Sequence, residues 1–138
     1  MNHNMIIKET ADYIEKHLDE DLALDKIAKA LNYSKFYLSR VFHEETKSTI
    51  YKYIQGRRLT LAAKKLVETE KPIVEIAYEA HYNSQQAFTL AFQQCYQCTP
   101  NIYREKGKFY PKQSRLGMIS SLHGYSCSHN LWGGKLAA

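Results

Sequence analysis

Apolar residues recur at helical spacing along the first hundred positions, and no stretch shows the period-two alternation of a strand. Ile7, Ala11, Ile14 and Leu18 fall on one face of a first helix, and Leu24, Ile27, Ala28 and Leu31 outline a short second one. Asn32-Tyr33 leads into Ser34, a side chain suited to an N-cap, and a third helix turns Leu38, Val41 and Phe42 inward. Thr49 can cap a longer fourth helix reaching about Glu68. Its core-facing residues are Ile50, Tyr53, Ile54, Leu59, Ala62, Ala63, Leu66 and Val67, with Gly56 as a place for a bend. Pro72 suits the first turn of a fifth helix carrying Ile73, Ile76, Ala77 and Ala80. Ser84 caps a sixth, with Phe88, Ala91, Phe92 and Cys95 inward, and Thr99-Pro100 opens a short seventh. Five of the six glycines lie beyond residue 106, so little interrupts these helices, and the pattern predicts an all-α fold of about seven.

An internal repeat organises the helices. Ile27-Ala28 and Tyr33 recur 49 residues later as Ile76-Ala77 and Tyr82, while Ser34, Phe42, Thr49 and Tyr53 recur 50 residues later as Ser84, Phe92, Thr99 and Tyr103. Each copy reads as short helix, tight turn and longer amphipathic helix, so the expectation is two helix-turn-helix subdomains joined by a long central helix. One alternative is a helical array that binds nothing. Against it stand the outward residues of each longer helix: Lys35, Phe36, Ser39, Arg40 and His43 in the first copy, and Gln85, Gln86, Thr89, Leu90 and Gln93 in the second. These faces are cationic and amide-rich, whereas a merely solvated helix face carries Glu-Lys pairs, and Arg and Gln are the side chains whose planar ends match guanine and adenine edges. A central helix of about 20 residues spans about 30 Å. That is close to the ~34 Å between successive major-groove faces of B-DNA, so one chain could place both longer helices in adjacent turns of one duplex. A shorter span would require the duplex to bend.

Charge sharpens this reading. The chain of 138 residues is one soluble domain's worth, with 44% hydrophobic and 24% charged residues. Its net +5 divides unevenly: residues 1–25 hold two basic and seven acidic side chains, and residues 26–138 hold the other 17 basic and 7 acidic. A basic body points to a polyanion, nucleic acid ahead of a membrane surface. No run of 18 apolar residues exists and the N-terminus lacks the apolar stretch of a signal peptide, so a cytoplasmic protein is expected, and its three cysteines are read as reduced thiols.

Other residues admit two readings. Arg57 and Arg58 on the long helix are candidates for phosphate contacts, while Lys64 and Lys65 read as solvated surface. Cys95 and Cys98, with His123, Cys127 and His129 downstream, suggest zinc, yet Cys95 falls on an apolar helical face and the later spacing has no standard form, which favours core thiols and no metal or other cofactor. No nucleophile motif or Gly-rich phosphate loop is present, so no enzyme is expected. Residues 107–134 read as a basic tail or linker, with Lys106, Lys108, Lys112 and Arg115 as added phosphate contacts, and residues 135–138 as a cloning-vector remnant.

The segments IAKALNYSKFYLSRVFHEETKSTIYKYIQGRRL and KPIVEIAYEAHYNSQQAFTLAFQQCYQCTPNIYREK resemble the DNA-binding domain of the AraC/XylS transcription regulators, over roughly residues 5–106. The resemblance rests on Ile76-Ala77, Tyr82, Ser84-Gln85-Gln86, Phe88, Phe92, Tyr96, Thr99-Pro100 and Tyr103-Arg104. It implies a monomeric regulator, expected to be an activator, that binds an asymmetric site on double-stranded DNA near a promoter and contacts RNA polymerase, with no membrane and no small-molecule site. Phe36, Ser39 and Arg40 then meet bases from the first copy, and Gln85, Gln86 and Thr89 from the second. The full expected contact set adds Lys35, His43, Ser84, Leu90, Gln93, Arg57, Tyr103 and Arg104. The chain departs from the family pattern at Leu90, where an arginine is usual, and at Lys47, His81 and Gln97, where glycine is common. Two alternatives are the DNA-binding half of a longer ligand-responsive regulator and a helical interaction or thiol-sensing module that binds no DNA.

Overall fold

The computed structural model describes residues 3–116. Within them the chain forms α1 (His3–Lys16), α2 (Leu24–Leu31), α3 (Lys35–Thr46), α4 (Ile50–Glu68), α5 (Ile73–Glu79), α6 (Gln85–Tyr96) and α7 (Pro100–Lys106), and no strand. Two compact units divide α4 between Gln55 and Gly56, the first taking in residues 115–116 and the second ending at 114.

In the first unit, Ile6, Ile7, Ala11 and Ile14 of α1 join Ile27 and Ala28 of α2, Leu38, Val41 and Phe42 of α3, and Ile50, Tyr53 and Ile54 of α4 as buried side chains. α2 ends where Asn32 enters the left-handed region at φ 64°, a conformation asparagine tolerates better than most side chains. Its N–H reaches Lys29 O, and that of Tyr33 reaches Ala28 O at 2.9 Å. Two residues on, the Ser34 hydroxyl accepts the Tyr37 N–H at 3.1 Å and starts α3. The helix stops at Lys47, φ 61°, whose N–H reaches His43 O at 2.8 Å.

The second unit repeats the scheme. His81 takes φ 69° after α5, Tyr82 N–H reaches Ala77 O at 3.1 Å, Ser84 caps α6 through Ala87 N–H at 3.0 Å, and Gln97 stops it at φ 61°. The turn is one residue longer than in the first unit. Thus four positions without glycine, Asn32, Lys47, His81 and Gln97, hold the backbone that glycine adopts most cheaply. The core here joins Leu59, Ala62, Ala63 and Leu66 of α4, Ile76 and Ala77 of α5, and Phe88, Phe92, Tyr96 and Tyr103, with Phe92 and Tyr96 stacked at 4.7 Å and Tyr103 edge-on to both. Cys95 is buried in this core, and Cys98 is free and half-buried.

The segment after α7 corrects the expectation of a loose arm from residue 107. Tyr110 N–H donates to the Tyr103 hydroxyl at 2.8 Å, the Tyr96 hydroxyl donates to Tyr110 O at 2.8 Å, and Gln113 N–H donates to Thr60 Oγ1 at 3.0 Å. In the first unit, Leu116 N–H donates to the Tyr53 hydroxyl at 3.0 Å, Leu116 itself is buried, and Arg115 pairs with Asp12 at 2.9 Å. Lys8, at 2.8 Å, and Arg115 hold the Asp12 carboxyl below its ordinary pKa. Tyr53 and Tyr103, equivalent in the repeat, therefore each secure one point of this strap. Gly56 is its seat: a Cβ added there would lie 2.9 Å from Gln113 Cβ, so the glycine serves close approach. The rest of the expected tail, 117–134, and the remnant at 135–138 lie outside the described residues.

Candidate nucleic-acid interface

Both longer helices are 12 residues long, N-capped by serine and stopped by a left-handed residue, so their outward side chains stand at matched register: Lys35 with Gln85, Phe36 with Gln86, Ser39 with Thr89, Arg40 with Leu90, and His43 with Gln93. On α3 all five are exposed, Phe36 to 78%. Lys35 Nζ lies 5.5 Å from the centre of the Phe36 ring and 3.2 Å from Asp25 Oδ1 of α2. The Arg40 guanidinium sits 5.3 Å from the Tyr37 ring, and its Nη1 donates to both Glu44 carboxylate oxygens at 3.3 and 3.4 Å.

α6 carries no charged outward residue among these five. Gln85, Gln86, Leu90 and Gln93 are exposed and Thr89 is half-buried, and together they line an open groove of about 490 Å³. Ser84 is exposed, with its hydroxyl oxygen engaged in the cap.

Three expected contact residues are instead structural. Arg57 is buried, and its Nη1 donates to Gln113 O at 2.7 Å, binding the strap to α4. Tyr103 is buried with its hydroxyl on Tyr110 N–H, and burial pushes that phenol's pKa up. Arg104 is half-buried; Nε donates to Leu66 O and Nη2 to Lys71 O, both at 2.8 Å, so its fork satisfies carbonyls at the end of α4 and beyond it. Each would have to abandon a charge-assisted or buried bond to reach a phosphate.

Sequence reasoning missed Asp25 and Glu44, the acidic partners of Lys35 and Arg40. The second was readable: Arg40 and Glu44 are four residues apart on one helix. Among the described residues, no cluster of three or more His, Cys, Asp or Glu is placed to hold a metal, and His123, Cys127 and His129 lie outside them. No helix of the described residues is long and apolar enough to cross a membrane.

Two helix-turn-helix units, each presenting the exposed face of its second helix, define a DNA-binding regulator of tandem type. The helix-turn-helix domain family matches residues 27–106. The regulatory protein SoxS of Salmonella typhimurium is 42% identical over 106 residues, 77% of this chain and 99% of that protein. The right origin-binding protein of Escherichia coli is 38% identical over 118 residues, 86% of this chain and 39% of that one. Among solved structures, a Chromobacterium violaceum transcriptional regulator described as an AraC-type DNA-binding domain-containing protein aligns with TM-score 0.72 and 26% identity. That alignment covers 75% of this chain and 92% of the other. The chain belongs to the AraC/XylS family of DNA-binding transcription regulators.

Proposed function

We propose that this regulator binds one non-palindromic site on double-stranded DNA as a monomer, with α3 in one major-groove turn and α6 in the next. The observation that carries the reading is the matched register of two capped helices whose outward sets differ throughout, since one chain then holds two unlike readers and needs no dimer symmetry. Lys35, Phe36, Ser39, Arg40 and His43 read one half-site, and Gln85, Gln86, Thr89, Leu90 and Gln93 the other, with Ser84 at the phosphate beside α6. Arg40 is the guanine reader, its fork matching O6 and N7, and the glutamines are suited to adenine. The DNA-binding unit runs past residue 106 to include the strap. The protein works in the cytoplasm as an activator that contacts RNA polymerase, and performs no catalysis.

Selection of bound sequences from a random duplex pool at two salt concentrations, followed by native mass spectrometry on the enriched duplex, tests this. One protein per asymmetric motif about two helical turns long is expected. A two-to-one complex on an inverted repeat overturns the monomer reading, and no enrichment at either salt overturns base reading altogether.

A further inference from the structure

Leu90 is 57% exposed at the centre of the α6 outer face, with Gln86 one turn before it and Gln93 nearly one turn after. Its register partner on α3 is Arg40, and the register partner of Gln86 is Phe36. Each helix therefore carries one large exposed apolar side chain and one planar hydrogen-bonding one at its second and sixth positions, in opposite order. Four residues advance about 6 Å along a helix, nearly two base-pair steps.

Resting on the DNA-reading proposal above, we infer that Leu90 is a specificity determinant that reads the C5-methyl group of a thymine in the half-site bound by α6. In the major groove this methyl is the one apolar feature a base pair presents, and an aliphatic side chain has nothing else there to recognise. Gln86 and Gln93 border Leu90 in the groove of about 490 Å³, which has room for a base edge. They carry amide donors and acceptors for the neighbouring bases but no charge that would anchor the helix to any sequence alike. The reversed order on the two helices means that the apolar contact and the planar contact exchange places between half-sites. The two halves of the site are then unrelated by either direct or inverted repetition, even though the two helices are built alike.

The test uses the full chain and the duplex enriched in the selection. Each thymine, on both strands, is replaced singly by deoxyuridine, which removes only the methyl group. Affinities are measured by fluorescence anisotropy for the unaltered protein, Leu90→Ala and Phe36→Ala. At one thymine, deoxyuridine should weaken the unaltered protein about 4-fold, the effect of losing one buried methyl. Leu90→Ala should bind the parent duplex at least that much more weakly and be indifferent to deoxyuridine at that thymine, while Phe36→Ala keeps the sensitivity there. Leu90 is exposed, so Leu90→Ala should melt within a degree or two of the parent, and melting checks this. Indifference of the unaltered protein to every deoxyuridine overturns the inference and leaves the enriched motif, and so the DNA reading, standing. Retained sensitivity at every thymine in Leu90→Ala also overturns it. Absence of any enriched motif overturns both.

Discussion

Replacing Gly56 with alanine sets two opposed effects against each other. Glycine inside a helix costs about 1 kcal/mol relative to alanine, so the substitution would stabilise an α4 standing in open space. The space is not open: the new methyl would sit 2.9 Å from Gln113 Cβ and 3.1 Å from its Cγ, against an ordinary contact of at least 3.4 Å. The nearer atom is attached directly to the backbone, so it yields only if the strap moves. That motion strains the Arg57 to Gln113 O bond at 2.7 Å and the Gln113 N–H to Thr60 bond at 3.0 Å. Overpacking of this kind costs about 2–3 kcal/mol with such strained partners, which leaves a net loss of about 1–2 kcal/mol. Thermal unfolding followed by circular dichroism should show a midpoint lower by roughly 5 °C. The same change made in a Gln113→Gly background, which lacks both clashing atoms, should be neutral or stabilising, and the difference between the two backgrounds is the coupling energy. If Gly56→Ala raises the midpoint of the otherwise unaltered chain, or costs as much in the Gln113→Gly background as beside the native glutamine, the strap does not rest on Gly56 and the reasoning fails.

Glu44→Gln frees Arg40 from its ion pair and removes a negative charge from the α3 face, so DNA affinity should rise about 2- to 5-fold at low salt and by less at high salt. An anisotropy titration that finds weaker binding would show that Glu44 positions Arg40 rather than restraining it. Burial pushes the Tyr96 phenol from 10.0 to about 12. Because the folded-state value lies above the unfolded one, the neutral phenol's contribution is intact below pH 10 and is lost as the pH climbs toward 12, up to about 3 kcal/mol. Urea midpoints should fall over that window, and Tyr96→Phe, weaker at pH 8 through loss of the bonds to Tyr110 and Lys112, should fall less steeply. Parallel declines in both proteins would assign the alkaline loss to other groups.

The helices were legible because their signals are local. Ser34, Thr49, Ser84 and Thr99 each cap the helix that the apolar spacing places after them, through a backbone N–H three residues on. The exposed faces of α3 and α6 were legible for the same reason, since they are what remains once the inward residues are assigned. What escaped was everything depending on the segment after α7, which has no period to read. Its docking site in the second unit did leave a trace: Gly56, Arg57 and Thr60 stand at i, i+1 and i+4 on α4, on one side of the helix. A glycine and an arginine among buried positions suggested a bend and a phosphate contact because nothing in the sequence says what covers them. Arg104 was misplaced for a related reason. A guanidinium suits a phosphate and a row of helix-end carbonyls equally well, and only the folded chain shows which one is near.

The repeat separates what the fold needs from what the surface does. The cap serines, the buried phenylalanines Phe42 and Phe92, the strap-holding tyrosines Tyr53 and Tyr103, and the left-handed stops at Lys47 and Gln97 fall at equal spacing in both units. Caps, cores and stops have the same physical requirement wherever this motif forms, so two copies meet it alike. The outward positions face no such requirement, and there the copies share no residue: lysine against glutamine, phenylalanine against glutamine, serine against threonine, arginine against leucine, histidine against glutamine. Solubility alone would be served by mixed charges, including glutamate, at these positions. Acid is missing from all ten of them, and the acids near α3, Asp25 and Glu44, pair with the cations there. Two alike scaffolds whose ten outward positions differ throughout and hold no acid fit a polyanion that presents a different sequence to each, and the scaffold's likeness is what lets both faces be aimed by the same local chemistry.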